Sequence, residues 1–397
     1  MQVNLIALGG GTAETLTAEC LAALRQAEVL IGAKRLLTAL PEGCTENRIP
    51  AVKAAEILEI LQNSQGNAAC VLFSGDTGFY SGTKKLLPLL QGFSVRVFPG
   101  ISSVQLLAAR LGKPWQDWRL VSAHGVDCNA VHAVMQGESF FLTGGKWTPD
   151  ALCRQLAEVG LGNLQAVVGE NLSYPDEKII CGTAEALAEQ KFAPLSVLLV
   201  QAAPKSAYHA AGLPDDVFVR GNVPMTKREV RANILSKLAV QTEDIVWDVG
   251  AGTGSVSVEL AQAAERGWVY AVECNAEGCD LIRQNREKLC AWNLSVVEGK
   301  APQALVDLPT PQAVFIGGTK GGMDAVVKLA MEKNPAVRIC ISAIALETLT
   351  AAAEVLQKYG KTPFVTQISV SKTKAVGNLH LLMAQNPIFL ITGGCHE

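Results

Sequence analysis

Residues 244–273 constrain this chain more than any others, because they write a strand, a glycine turn, a helix and a second strand ending in an acid. Ile245-Val246-Trp247-Asp248-Val249 is a short apolar run with β-branched residues, the pattern of a buried strand. Gly250-Ala251-Gly252-Thr253-Gly254 follows at once; without Cβ atoms the backbone there can turn sharply and let a ligand approach closely. Val256, Val258, Leu260 and Ala261 supply the apolar positions of a helix, Gly267 closes the connection, and residues 268–272 form the second strand. Glu273 then stands nineteen residues after Gly254, a spacing that suits a carboxylate hydrogen-bonding a ribose.

The turn also discriminates between cofactors. A dinucleotide fingerprint reads G-x-G-x-x-G and seats a pyrophosphate on the helix N-terminus, whereas these glycines fall as G-x-G-x-G and Ser255 takes the last fingerprint position. S-adenosylmethionine has no phosphate, and a loop entered by Asp248 and followed by a ribose-binding acid fits an adenosine with an amino-acid tail. A methyl-donor site is therefore expected here, with a nicotinamide site and a ligand-free structural turn as the competing readings.

At roughly 100–200 residues per domain, a length of 397 residues predicts two or three domains. With 49% apolar and 18% charged residues and a mean hydropathy of +0.23, the profile is that of a soluble globular chain. A net charge of -3 argues against a broad phosphate-binding surface, so no nucleic-acid partner is expected. The eleven cysteines show no C-x-x-C pair and no His at metal-ligand spacing; they read as reduced core residues of a cytoplasmic protein without a metal site. The chain opens directly into a strand without a basic leader, and no run of about 18 apolar residues spans a bilayer, so no membrane association is expected.

In the N-terminal half, residues 3–8 form a buried strand running into Gly9-Gly10-Gly11, after which Leu16, Leu21, Leu24 and Val29 continue through a helix into a second strand. A glycine triplet alone is equally a tight turn with no ligand. A second such unit is more informative: residues 69–73 lead into Ser74-Gly75-Asp76-Thr77-Gly78 and an apolar helix over 84–90, and an acid held between glycines at a strand end is rarely there for packing. A third runs from residues 95–98 through Pro99-Gly100-Ile101-Ser102-Ser103 into a helix carrying Val104, Leu107 and Leu111. Ligands in open α/β sheets gather outside the carboxyl ends of strands, where these turns lie. Phe140-Phe141-Leu142 meets Thr143-Gly144-Gly145, Thr148-Pro149 offers an N-cap with proline first in the helix, and strands at 166–169, 178–180 and 196–200 complete a second layer facing the first across a cleft.

LGGGTAETLT, SGDTGFYSGTKKL, PGISS, FLTGG and VGENLSYPDEKI, in this order, resemble the tetrapyrrole (corrin and porphyrin) methylases over nearly all of residues 1–200, and within them the C5 methylase branch of cobalamin biosynthesis. The resemblance implies S-adenosylmethionine folded between two subdomains, touching Leu8, Gly9, Gly75, Asp76, Thr77, Ser102, Ser103, Leu142 and Thr143, with Asp76 a polar anchor. Many members have proline after the G-D pair where this chain has Thr77. Ribosomal-RNA and diphthine methylases share the cleft, but the attached second half and the acidic balance fit them less well. His124, after a strand, is a candidate base or substrate-carboxylate contact, or simply a turn residue.

Small residues over 202–212 break the periodicity and mark a domain boundary, giving domains 1–203 and 212–397 with a linker at 204–211. Thr226 with Glu229 three residues later reads as a capping box, compatible with Thr226 also facing the cofactor. After Glu273 come a helix over 276–290, a strand over 294–297 and a turn carrying Ala301 where adenine is read, then Ala313-Val314-Phe315-Ile316 ending in Gly317-Gly318-Thr319-Lys320-Gly321-Gly322. Adenine-directed nucleic-acid methylases put a polar residue, two prolines and an aromatic at this strand end to grip a flipped base; glycines here leave a flat floor for a large substrate. Strands at 337–342 and 364–368 and a closing segment at 380–387 finish a doubly wound sheet with a terminal hairpin.

GLPDDVFVRGNVPMTKREVR, WDVGAGTGSVSVELA, VEGKAP and FIGGTKGG resemble the C15 methylases and decarboxylases of the cobalamin pathway across residues 212–397. Carried over by position, the cofactor contacts fall on Thr226, Gly250, Ala251, Gly252, Thr253, Gly254, Glu273 and Ala301. The fold expected is therefore α/β, a two-subdomain tetrapyrrole methylase fold followed by a Rossmann-like doubly wound methyltransferase domain. The resemblance implies a family of fused methylases with two S-adenosylmethionine sites, methylating C5 and C15 of a precorrin-6 type macrocycle and decarboxylating its ring C acetate, in a homo-oligomer. A nicotinamide oxidoreductase acting on a tetrapyrrole and a non-catalytic tetrapyrrole-binding protein are the alternatives.

Overall fold

The computed structural model describes residues 1–208, 211–319 and 321–395 and separates into two compact units, Met1–Ala203 and Pro204–Glu397. His209 and Ala210 of the expected linker, and Lys320 beside the glycine floor, lie outside the described residues.

The apolar runs of the first unit form two five-stranded sheets. One is wholly parallel, in the order Arg48–Pro50, Val29–Gly32, Ala68–Phe73, Gln2–Ala7, Ser94–Phe98. Parallel strands are covered on both faces, and Val3, Leu5 and Ile6 of its interior strand are fully buried. The other is mixed, in the order Arg119–Ser122, Ser139–Leu142, Ser196–Val200, Gln165–Glu170, Lys178–Thr183, with only the first pair parallel. The helix expected over 84–90 is cut short: Thr83–Leu86 makes one α turn and Leu87–Leu89 continues as a 3-10 turn. Pro88 has no amide proton to give and its ring would strike the carbonyl four residues back.

In the second unit a seven-stranded sheet runs Leu294–Glu298, Trp268–Glu273, Ile245–Val249, Ala313–Ile316, Arg338–Ala343, Ile388–Gly393, Phe364–Ile368. The first five are parallel, and the order reverses direction beside Ile245–Val249, which opens a crevice at the strands' carboxyl ends. The closing segment differs from expectation. Leu379–Ala384 pairs with Ser371–Val376 in a separate, fully exposed ribbon and does not join the sheet. The sheet is completed instead by Ile388–Gly393, antiparallel to both neighbours, because its Leu390 and Ile391 fill the core at 0% exposure.

Cys20, Cys70, Cys153, Cys279 and Cys340 are buried, as expected of core residues, but Cys181 and Cys274 are exposed. Among the described residues no helix is long and apolar enough to cross a membrane, and no group of three or more potential metal ligands occurs.

Candidate functional site

At the carboxyl ends of the second unit's strands lies a cavity of about 700 Å³. Its floor is the glycine turn. Gly250 and Gly252 hold φ of 74° and 59°, left-handed values that suit a residue without Cβ. A Cβ on Gly250 would stand 2.2 Å from the Gly318 carbonyl oxygen, so the first strand's turn and the fourth strand's end meet backbone to backbone.

Glu273 is 9% exposed and tightly held. Its Oε2 accepts the Gly252 N–H at 2.9 Å, and Oε1 accepts the N–H groups of Cys274 and Asn275 at 2.8 Å each. A carboxylate offers about four acceptor positions, so one on Oε2 remains able to accept a further hydrogen bond. The carboxylate is thus preset by the turn it helps to fix. Asp248 is fully buried and does not line the cavity; its Oδ2 accepts the Ser257 hydroxyl at 2.5 Å while Oδ1 has no partner. Burial pushes its carboxyl up to about 7, with the Ser257 hydrogen bond opposing and the Glu273 charge adding.

Thr226, Gly250, Ala251, Gly252, Glu273 and Ala301 line this cavity together. Thr253 and Gly254 do not: Thr253 is 1% exposed, and a Cβ on Gly254 would reach within 2.9 Å of Ile282, so that glycine lets helix Ala276–Lys288 pack close. The capping box at Thr226 does not form. Helix Arg228–Leu238 begins after Lys227, the Arg228 N–H donates to Asp215 Oδ1 at 3.0 Å, and Glu229 pairs with Lys372 at 2.9 Å. Thr226 is fixed instead by the fully buried Arg231, whose Nη1 donates to its carbonyl at 2.5 Å.

Arg231 is the hub of a closed network. Nε donates to Glu259 Oε1 at 2.7 Å, Nη1 to Asp215 Oδ1 at 2.8 Å and Nη2 to the Leu213 carbonyl at 2.5 Å, with the Phe218 ring 4.6 Å away. Glu259 in turn accepts the N–H groups of Gly212 and Leu213 at 2.7 and 3.0 Å. The segment 212–226 is thereby clamped, and Val223, Pro224 and Met225 on it line the cavity. Sequence reading missed these three, together with Ser342, Ile344 and Ile388; Ser342 could have been found as the end of an expected strand.

The first unit has its own cavity of about 460 Å³. Three turns are knotted beneath it. Gly9 and Gly75 exchange N–H···O bonds of 3.1 and 2.8 Å, and a Cβ on Gly100 would lie 2.6 Å from the Gly75 oxygen. Asp76 ties the knot, Oδ1 accepting the Gly100 N–H at 3.0 Å and Oδ2 the Gly78 N–H at 2.9 Å. Thr77 stands where proline is usual, and its buried hydroxyl donates to the Phe98 carbonyl at 3.2 Å, which restrains the loop by another route. Gly9, Gly75, Asp76, Ser102, Ser103, Leu142, Thr143 and His124 line the cavity, whereas Leu8 lies in the core and Thr77 faces Phe98. Ser102 forms a capping box with Gln105 at the start of helix Ser103–Leu111, and the Thr143 hydroxyl donates to the Ser196 carbonyl at 2.6 Å. His124 is exposed over Gly144, where a Cβ would come 1.9 Å from its Nδ1, and that nitrogen lies 3.4 Å from the Thr143 carbonyl oxygen. Arg35, Tyr80 and Tyr174 also line the cavity; the two tyrosines fall within the SGDTGFYSGTKKL and VGENLSYPDEKI motifs without having been singled out, and Arg35 falls in none.

Both units match known families. A model described as tetrapyrrole (corrin/porphyrin) methylases matches residues 2–188, and one described as a precorrin methyltransferase domain matches residues 216–392. The precorrin-6Y C(5,15)-methyltransferase (decarboxylating) of Sinorhizobium sp. is 31% identical over 339 residues, covering 83% of this chain and 81% of that protein. The probable cobalt-precorrin-6B C(15)-methyltransferase (decarboxylating) of Pyrobaculum calidifontis is 40% identical over 188 residues, 47% of this chain and 96% of that one. The cobalt-precorrin-6B C(15)-methyltransferase (decarboxylating) of Salmonella typhimurium is 36% identical over 182 residues, 45% of this chain and 94% of its own length. Every one of these is a methylase, which leaves the oxidoreductase and the non-catalytic binder without support. The chain belongs to the precorrin-6Y C5,15-methyltransferase (decarboxylating) family, S-adenosylmethionine-dependent enzymes of cobalamin biosynthesis.

Proposed function

We propose that the chain methylates a precorrin-6 type tetrapyrrole twice, at C5 by the domain of residues 1–203 and at C15 by that of residues 212–397, the latter also removing the ring C acetate carboxyl. Each domain holds its own S-adenosylmethionine in this reading. The observation that carries it is that each unit has a separate cavity floored by glycine turns at strand carboxyl ends.

When bound, S-adenosylmethionine would supply an electrophilic sulfonium methyl to an electron-rich macrocycle carbon, with the neutral thioether S-adenosylhomocysteine as the leaving group, so the chain's task is alignment and charge management. In the second domain Glu273 and the Gly252 backbone hold the ribose, and Thr226 and Ala301 flank the adenosine. Gly318 keeps the floor flat; a Cβ there would meet nothing within 4 Å, leaving room for a macrocycle to slide over it. In the first domain the knot of Gly9, Gly75, Asp76 and Gly100 sets the shape of the cavity floor, and Ser102, Ser103, Leu142 and Thr143 form its walls. His124 is the substrate contact we assign there, as its exposed ring has a face free to meet a side-chain carboxylate. The same reading has the enzyme as a cytoplasmic homo-oligomer without a nucleic-acid partner.

Titration calorimetry tests the two-site reading. Two equivalents of S-adenosylmethionine should bind per chain, NAD(P)H none, and Gly252→Arg should leave one equivalent. Nicotinamide binding without methyl-donor binding would overturn it.

A further inference from the structure

Arg35 lines the first unit's cavity and takes no part in the knot beneath it. Between Gly10 and Leu72 the lining residues are Ala33, Arg35, Leu36, Ala51, Val52 and Ile57, so the arginine stands alone among apolar neighbours. Its side chain is exposed, and its carbonyl accepts the Thr38 hydroxyl at 2.9 Å, but among the described residues its guanidinium has no ion-pair or hydrogen-bond partner. Asp76 is the only other Asp, Glu, Lys or Arg of the lining, and its two oxygens already accept the Gly100 and Gly78 N–H groups.

The backbone under Arg35 is fixed although its side chain is not. Strand Val29–Gly32 runs into helix Lys34–Thr38, whose Leu36 and Leu37 are buried, and Arg48 Nη1 donates to the Leu37 carbonyl at 3.0 Å. Binding an anion here therefore orders little beyond the arginine's own rotamers.

The place of Arg35 in the sheet says which anion it meets. In the order Arg48–Pro50, Val29–Gly32, Ala68–Phe73, Gln2–Ala7, Ser94–Phe98, the knotted turns of Gly75, Gly9 and Gly100 follow the last three strands. With neighbouring strands about 4.8 Å apart, the end of Val29–Gly32 stands about 10 Å from that of Gln2–Ala7 and about 14 Å from that of Ser94–Phe98. None of the expected methyl-donor contacts lies on Val29–Gly32 or Arg48–Pro50 or in the turns after them. Val52 is 68% exposed, so this side of the cavity opens to solvent.

We propose that Arg35 is a specificity-determining residue of the first unit: it pairs with one side-chain carboxylate of the macrocycle and so sets which edge of the ring reaches the methyl donor. This deepens the proposed function and rests on its assignment of C5 methylation to residues 1–203. A macrocycle entering from the open side brings the carboxylates on its rim to the guanidinium, whose planar fork can bond both oxygens of one. No bond is made or broken at Arg35. Its contribution is to register, because a ring turned by one pyrrole presents a different meso carbon to the same methyl.

The test uses the full chain in a Gly252→Arg background, which leaves the first methyl-donor site, with isotope-labelled methyl on S-adenosylmethionine and the precorrin-6 type macrocycle. NMR locates the labelled methyl, and initial rates give KM and kcat. Arg35→Gln should raise KM for the macrocycle about tenfold, keep kcat within about twofold, and put part of the label on carbons other than C5. Its affinity for S-adenosylmethionine by calorimetry should stay within about twofold of the background. Arg35→Lys, which keeps the charge but not the fork, should raise KM only about threefold, and Arg35→Glu should raise it more than Arg35→Gln. Lys34→Gln, next in the chain but not on the lining, should match the background. An unchanged KM in both Arg35→Gln and Arg35→Glu, or an equal rise in Lys34→Gln, would overturn the inference. So would an unchanged KM with a loss of about tenfold in S-adenosylmethionine affinity, which would give Arg35 to the methyl donor's own carboxylate. A chain with Arg35 intact that places no methyl on C5 would instead sink the proposed function itself.

Discussion

Removing the Arg231 side chain tests how the second cavity's rim is held. Arg231→Met keeps most of the volume but takes the donors of four hydrogen bonds out of a fully buried site and leaves Glu259, 1% exposed, as a buried charge without its cation. Breaking one partner of a buried pair costs about 3–5 kcal/mol, mostly the desolvation of the charge left behind. For a unit of this size each kcal/mol moves the melting temperature by roughly 2–4 °C, so the second unit should melt roughly 6–20 °C lower. The pairing logic adds a second expectation: Arg231→Met with Glu259→Gln removes the stranded charge and should recover most of the loss. Scanning calorimetry of the full chain reads both variants. Affinity for S-adenosylmethionine in the second site should fall in the single variant, because the Thr226 carbonyl and the segment 212–226 lose their clamp. A single variant within about 3 °C of wild type, or a double variant no better than the single, would refute the reasoning.

Two further outcomes follow from the same geometry. Asp248 carries a folded-state pKa of about 7 against an ordinary 3.8, so the folded chain keeps a proton that the unfolded chain has already lost; stability should fall as pH rises from about 4 to about 7 and then level off, and Asp248→Asn should abolish that slope in melting curves. Glu273→Ala removes the charge-assisted bonds from the Gly252, Cys274 and Asn275 N–H groups together with the proposed ribose acceptor, and should weaken methyl-donor binding at the second site by about 2 kcal/mol, roughly thirtyfold, with the first site unaffected by calorimetry.

The strands and turns were readable because burial and backbone geometry are written locally. A β-branched run followed by glycines gave Ile245–Val249 and its turn, and the carboxyl-end rule put the cavity above them. What escaped was set by partners distant in sequence. Thr226 and Glu229 have capping-box spacing, but Arg231, Asp215 and Lys372 claim the groups such a box would use. Asp76 lines the first cavity as its glycine setting suggests, but its bond to Gly100, from the next strand's turn, is one the motif does not show. The 388–393 strand follows a ribbon of equally apolar residues, and only its place between two other strands separates a buried strand from an exposed one. Ser342, Ile368 and Ile388 of the second cavity's lining likewise come from three strand ends that no single motif connects.

The central claim is a division of labour between the two units, and the most direct measurement is mass spectrometry of the macrocycle after incubation with Pro204–Glu397 alone and S-adenosylmethionine. The product should have gained one methyl and lost one carbon dioxide. A gain of one methyl with the carboxyl retained, or a gain of two methyls, would contradict the account.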